Sequence, residues 1–96
     1  MELDELIRSN RDEILHIARK HGADNIRLFG SGARGELGPS SDIDLLVEMR
    51  SDHSPWFPAG LIADLEELLG RPVHVVTVKA LHPYIRERVL QDAVPL

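Results

Sequence analysis

Apolar positions along this chain follow two different periods. Between Leu3 and His21 they recur at helical spacing, with Leu3, Leu6, Ile7, Ile14, Ile17 and Ala18 on one stripe. Asn10 interrupts the stripe, and Glu13 three residues later gives the pair the form of a capping box. The pattern predicts a short helix, a break near Asn10, and a second helix to about His21 with Gly22 as its C-cap. Ile26-Arg27-Leu28-Phe29 predicts a first strand, and Ile43 to Glu48 a second, antiparallel to it. A helix opened by Pro58 and ended by Gly70 buries Leu61, Ile62, Leu65, Leu68 and Leu69, with Asp64, Glu66 and Glu67 on its solvated side. The β-branched run Val73 to Val78 predicts a third strand, central or well buried. Pro83 opens a last helix that turns Ile85, Val89 and Leu90 inward. The loop from Arg50 to Pro58 carries Trp56, expected to pack down on the core rather than to serve as a contact for a nucleotide or partner. Helices on one face of a small mixed sheet of three or four strands is the expected architecture, an α/β (α+β) fold.

The stretch from Leu28 to Val47 changes this picture from fold to chemistry. An apolar run ends at a Gly30-Ser31 turn, and Asp42-Ile43-Asp44 leads into the next apolar run. Alternation along a strand points Asp42 and Asp44 the same way and Ile43 the other. Two adjacent carboxylates raise each other's pKa unless a cation sits between them. Mg²⁺, a hard cation that is held by one or two carboxylates and completes its shell with substrate phosphates, suits such a pair. Glycines let backbone amides approach an anion closely, so the turn reads as a phosphate cradle facing a metal clamp. Gly30, Gly32 and Gly35 also fit a dinucleotide-binding fingerprint, but that motif needs a helix running on from its last glycine. Gly38-Pro39-Ser40-Ser41 breaks any such helix. The remaining rival is a plain hairpin turn with solvated aspartates.

Gly30-Ser31, ten intervening residues, and Asp42-Ile43-Asp44 together resemble the nucleotidyltransferase superfamily of the DNA polymerase β type. Phe29, Ala33-Arg34-Gly35, Ser41 and the ending Ala93-Val94-Pro95-Leu96 are similar to its small branch, the minimal nucleotidyltransferases. The resemblance implies ATP as substrate, nucleotide contacts at Gly30, Ser31, Arg34 and Ser41, and Mg²⁺ (or Mn²⁺) on Asp42 and Asp44. Arg34 faces the triphosphate or braces the loop, since its fork suits phosphate and carboxylate alike. The resemblance also implies a third carboxylate near the start of the strand after the Leu-rich helix. His74 stands at the matching position. An imidazole there leaves several readings open: a general base, a slow enzyme, a binding-only descendant, or a histidine packed without a role. Proteins of this branch resemble antitoxins that transfer AMP to a tyrosine of a HEPN-domain toxin. That partner, in a hetero-oligomer or beside a homodimer, is what the resemblance implies.

Composition narrows the rest. The 96 residues suit a single domain over 1–96 with a small core. No cysteine is present, which removes disulfide and thiolate chemistry. A net charge of −5 argues against direct nucleic-acid binding, which leans on basic patches. No apolar run reaches membrane-spanning length and the acidic start lacks a signal-peptide core, so a cytoplasmic protein is expected. His16 and His21 lack a partner at metal-ligand spacing and are read as surface or helix-end residues. Glu48 is read as a rim charge.

Overall fold

The computed structural model describes residues 3–30 and 42–96. Helices α1 (Leu3–Ser9) and α2 (Arg11–His21) precede β1 (Ala23–Phe29). β2 (Ile43–Met49), α3 (Ala59–Leu69) and β3 (Val73–Thr77) follow, then one turn of 3₁₀ helix, α4 (Pro83–Asp92) and β4 (Val94–Pro95). The sheet order is β3-β2-β1-β4. β1 lies antiparallel to both β2 and β4, while β2 and β3 run parallel. A parallel pair needs a long crossover, and α3 provides it.

The sheet has two unlike faces. Ile43, Leu45 and Val47 project from β2 toward the helices and are fully buried with Ile14, Ala18, Leu61 and Leu65. Truncating one of the buried leucines to alanine would cost about 2–5 kcal/mol, a large fraction of the stability of so small a domain. Asp44 and Leu46 alternate to the opposite face.

β1 starts earlier than the expected Ile26 because its alternation breaks. The pairing with β2 shifts register between Asp24 and Arg27, and Asn25 there has φ 50°. The extra residue lets Ala23 and Ile26, three apart, share the buried face. A period-2 reading cannot extend through such a bulge.

Helix ends follow the sequence in part. Gly22 closes α2 at φ 90° and donates its amide to carbonyls of α2. Asn10 does not cap α2: its side chain makes no capping bond and instead donates from Nδ2 to the Leu6 carbonyl at 2.8 Å. It finishes α1 rather than starting α2.

Other expectations are corrected by the sheet order. β3 is an edge strand, not a central one, and only Val73 of its residues is buried. It ends at Thr77, with Val78 already in the 3₁₀ turn. α4 carries no buried residue, and Ile85 is exposed, so its inward face is weaker than the pattern suggested. Trp56 is 77% exposed, and Phe57 is the aromatic of that loop that packs on the core.

Candidate functional site

The site forms where β1 ends, β2 begins and β3 begins. Phe29 pairs with Asp44, and Asp44 pairs in turn with His74. Directly paired residues point to the same face, so the edge-strand histidine stands beside the aspartate. β1 and β3 meet this aspartate in opposite directions, with Phe29 on one side of it and His74 on the other.

Gly30 closes β1 at φ 67°, a left-handed conformation. A Cβ at this position would lie 2.8 Å from Oδ2 of Asp44. Glycine is therefore required twice, for the turn and for the approach of the carboxylate. The consequence is a carboxylate held directly against the turn backbone. Ser31, Arg34 and Ser41, the other expected nucleotide contacts, lie outside the described residues.

His74 Nε2 is 3.0 Å from Asp42 Oδ2, with the two side chains 58% and 49% exposed. This contact holds the imidazole pKa above its ordinary value, with smaller help from the charges of Asp42, Asp44 and Glu66. Asp44 is held above the usual carboxylate range, first by burial and, more weakly, by repulsion from Asp42, while His74 pulls the other way. Repulsion between the aspartates is thus a lesser cause than burial.

The donor set can be tested for a cation. Among the described residues no group of three His, Cys, Asp or Glu side chains is placed to hold a metal ion. A closed protein cage is thereby lacking among them. Two half-open carboxylates on one face do fit Mg²⁺, which keeps few protein ligands and fills its shell with water and phosphate oxygens. Imidazole in the third position suits Mn²⁺ better than Mg²⁺.

Glu66 was read as a solvated helix residue, and the structure gives it contacts instead. Its carboxylate accepts the Val73 amide at 3.0 Å, one residue before His74. Asp64, also read as solvated, accepts a bond from His21 at 2.7 Å. Glu48, near the far end of β2 from Asp44, accepts from the Asn25 side-chain amide. The sequence signal that could have found Glu66 is its spacing. A carboxylate four residues before the helix-ending Gly70 can reach back over a three-residue turn to the next strand.

A four-stranded mixed sheet with a glycine turn pressed against Asp44 has the form of a nucleotidyltransferase-type fold. The chain belongs to the nucleotidyltransferase domain family, whose sequence model matches residues 11–96. A Methanocaldococcus jannaschii protein named "Putative protein adenylyltransferase" is 42% identical over 82 residues, covering 85% of this chain and 88% of that protein. A solved structure described as a "putative minimal nucleotidyltransferase" superposes with a TM-score of 0.88 at 43% identity, over 100% of this chain and 97% of the other. A toxin–antitoxin crystal structure with AMP-PNP shares the fold, with a TM-score of 0.74 at 23% identity over 90% of this chain and 71% of that one. Among the described residues no helix is long and apolar enough to cross a membrane.

Proposed function

We propose that this chain is a metal-dependent nucleotidyltransferase that uses ATP and acts in the cytoplasm as the antitoxin of a HEPN-domain toxin, transferring AMP to a tyrosine of that toxin. The observation that carries the reading is the packing of the Asp44 carboxylate against the Gly30 turn, with Asp42 and His74 alongside. Support for the acceptor class comes from the similarity to the M. jannaschii protein named "Putative protein adenylyltransferase". Support for the partner comes from the toxin–antitoxin structure that shares the fold, a protein crystallised with AMP-PNP.

In this reading the Gly30-Ser31 backbone cradles the triphosphate, with Arg34 and Ser41 as further contacts, and Asp42 and Asp44 hold Mg²⁺ or Mn²⁺. A divalent ion bound there would supply charge neutralisation and Lewis acidity to the phosphate oxygens. A neutral His74 that donates from Nε2 to Asp42 keeps a lone pair on Nδ1. Nδ1 then takes the proton of the acceptor hydroxyl. The hydroxyl oxygen bonds to the α-phosphorus, the bond from that phosphorus to the bridging oxygen breaks, and pyrophosphate leaves.

A second reading is a binding module that neutralises the toxin by contact. It is favoured by the same His74–Asp42 bond, which fills with an internal partner the position where the resemblance implies a third carboxylate. ATP labelled at the α-phosphate, each metal in turn and the HEPN partner separate the two. Label that appears on the partner, and is lost when its acceptor tyrosine becomes phenylalanine, establishes transfer. A stable complex without label establishes the binding module.

A further inference from the structure

α3 ends in a tight connection to β3, and one side chain spans it. Glu66 lies in the last turn of α3, where its backbone carbonyl accepts the Gly70 amide at 2.8 Å. Its carboxylate reaches forward and accepts the Val73 amide at 3.0 Å in a half-buried position. On the other side of the strand entry, the Ile43 amide donates to the Pro72 carbonyl at 2.9 Å. The first residues of β3 are therefore held from two directions, by β2 on one side and by Glu66 on the other.

This clamp bears on the site because β3 is an edge strand. An edge strand has one neighbour, so its outward amides have no ladder partner and its end is free to fray. Val73 presents such an outward amide, since the neighbouring Pro72 carbonyl is the group that faces β2. His74 follows directly. Its 3.0 Å contact with Asp42, and its pairing opposite Asp44, hold only while the start of β3 stays seated against β2.

We propose that Glu66 is a positioning residue for this site: by accepting the Val73 amide it fixes the entry of β3, and so sets where His74 meets Asp42 and Asp44. The inference rests on the reading of those three residues as the site. The acceptor oxygen, more than the negative charge, does the positioning, because the bond to Val73 is directional whereas the effect of the charge on His74 acts through space.

The experiment uses the full chain as wild type, Glu66→Ala, Glu66→Gln and Glu66→Asp, with three readouts. They are amide exchange at Val73 and His74, the ring resonances of His74, and adenylyl transfer. Alanine removes the acceptor, whereas glutamine keeps an acceptor oxygen and drops the charge. Aspartate is one methylene short of the amide and is expected to behave like alanine, so it carries the test if the alanine variant does not fold. Expected for Glu66→Ala is exchange at Val73 about tenfold faster or more, the scale set by loss of one hydrogen bond to a charged acceptor. The His74 ring resonances should move toward those of a free imidazole. kcat should fall about tenfold while KM for ATP stays within about twofold, the pattern of an interaction realised in the transition state. Glu66→Gln should restore the exchange protection, the resonances and most of kcat.

Faster exchange at Val73 with unmoved His74 resonances would overturn the proposal and leave Glu66 a purely structural staple. Failure of glutamine to restore the resonances would overturn it too, in favour of the charge. Absence of transfer in the wild type would count against the enzymatic reading alone, since exchange and ring resonances still decide whether Glu66 places His74.

Discussion

Among the described residues the same chemical pair recurs in two opposite settings. His21 and Asp64 bridge α2 and α3 at 2.7 Å, with the imidazole only 12% exposed. His74 and Asp42 meet at 3.0 Å on the open sheet face, with the imidazole 58% exposed. Gly60 of α3 packs so closely on His21 that a Cβ there would lie 3.0 Å from its ring carbon. The first pair lies between two helices, with its histidine largely covered and its aspartate at the surface. The second faces solvent beside a further carboxylate and a glycine turn. A histidine–aspartate contact is a staple or a candidate site according to what a third molecule can reach, and bond length does not distinguish them.

The largest expected effect breaks the open pair. Asp42→Asn and Asp44→Asn should each lower adenylyl transfer by about a hundredfold or more, near 3 kcal/mol of barrier at 1.36 kcal/mol per decade. Both should fold, and calorimetry should find ATP binding no longer dependent on the divalent ion. Wild-type metal-dependent affinity in both variants would remove the clamp assignment.

Next in size is His74→Asp, which makes the open site fully acidic. Transfer with Mg²⁺ should rise several-fold and more than with Mn²⁺, because a carboxylate suits the harder ion. The metal-free protein should melt a few degrees lower, as three carboxylates then repel and the bond to Asp42 is lost. Equal rates with both metals, and no added stabilisation by metal in melting curves, would place His74 outside the metal's reach.

The enclosed pair should respond the other way round. His21→Ala should lower the melting temperature by about 4–8 °C, the shift expected of a modest loss in a domain of this size. The transfer rate below the melting range should stay at the wild-type value. A loss of transfer without a loss of stability would contradict the assignment of this pair as a staple.

The smallest effect is a pH dependence. The bond from His21 holds the Asp64 carboxyl below its ordinary value of 3.8. An acid with a depressed folded pKa stabilises the protein above its unfolded pKa and loses that contribution as pH falls through the folded one. Acid melting curves should therefore show wild type losing stability below about pH 4 more steeply than Asp64→Asn. Parallel curves would show that the bond does not persist in solution.

The centre of the candidate site could be read from the sequence because its signals are local. Period-2 alternation put Asp42 and Asp44 on one face, and a glycine turn after an apolar run marked Gly30. The position opposite Asp44 came from resemblance, and the ladder pairs His74 there. What could not be read depends on partners far along the chain. His21 and Asp64 are 43 residues apart and share no motif. β-branched residues suit edge and central strands alike, so Val73 to Thr77 could not declare its place in the sheet. The sequence pointed to Trp56 as the packing aromatic of its loop, whereas Phe57 packs and Trp56 is exposed, a choice made by the loop backbone rather than by residue type.

The crossover through α3 has a further consequence, for the order in which the molecule becomes competent. Asp44 and His74 are partners across 30 residues, and α3, packed in the core, spans the chain between them. Chain closure over that distance is repaid only when the helix buries Leu61 and Leu65. A nascent or partly opened chain thus carries the glycine turn and both aspartates without the third position. A fragment ending before Val73 would therefore hold two of the three members of the candidate site and lack the edge strand that completes the sheet.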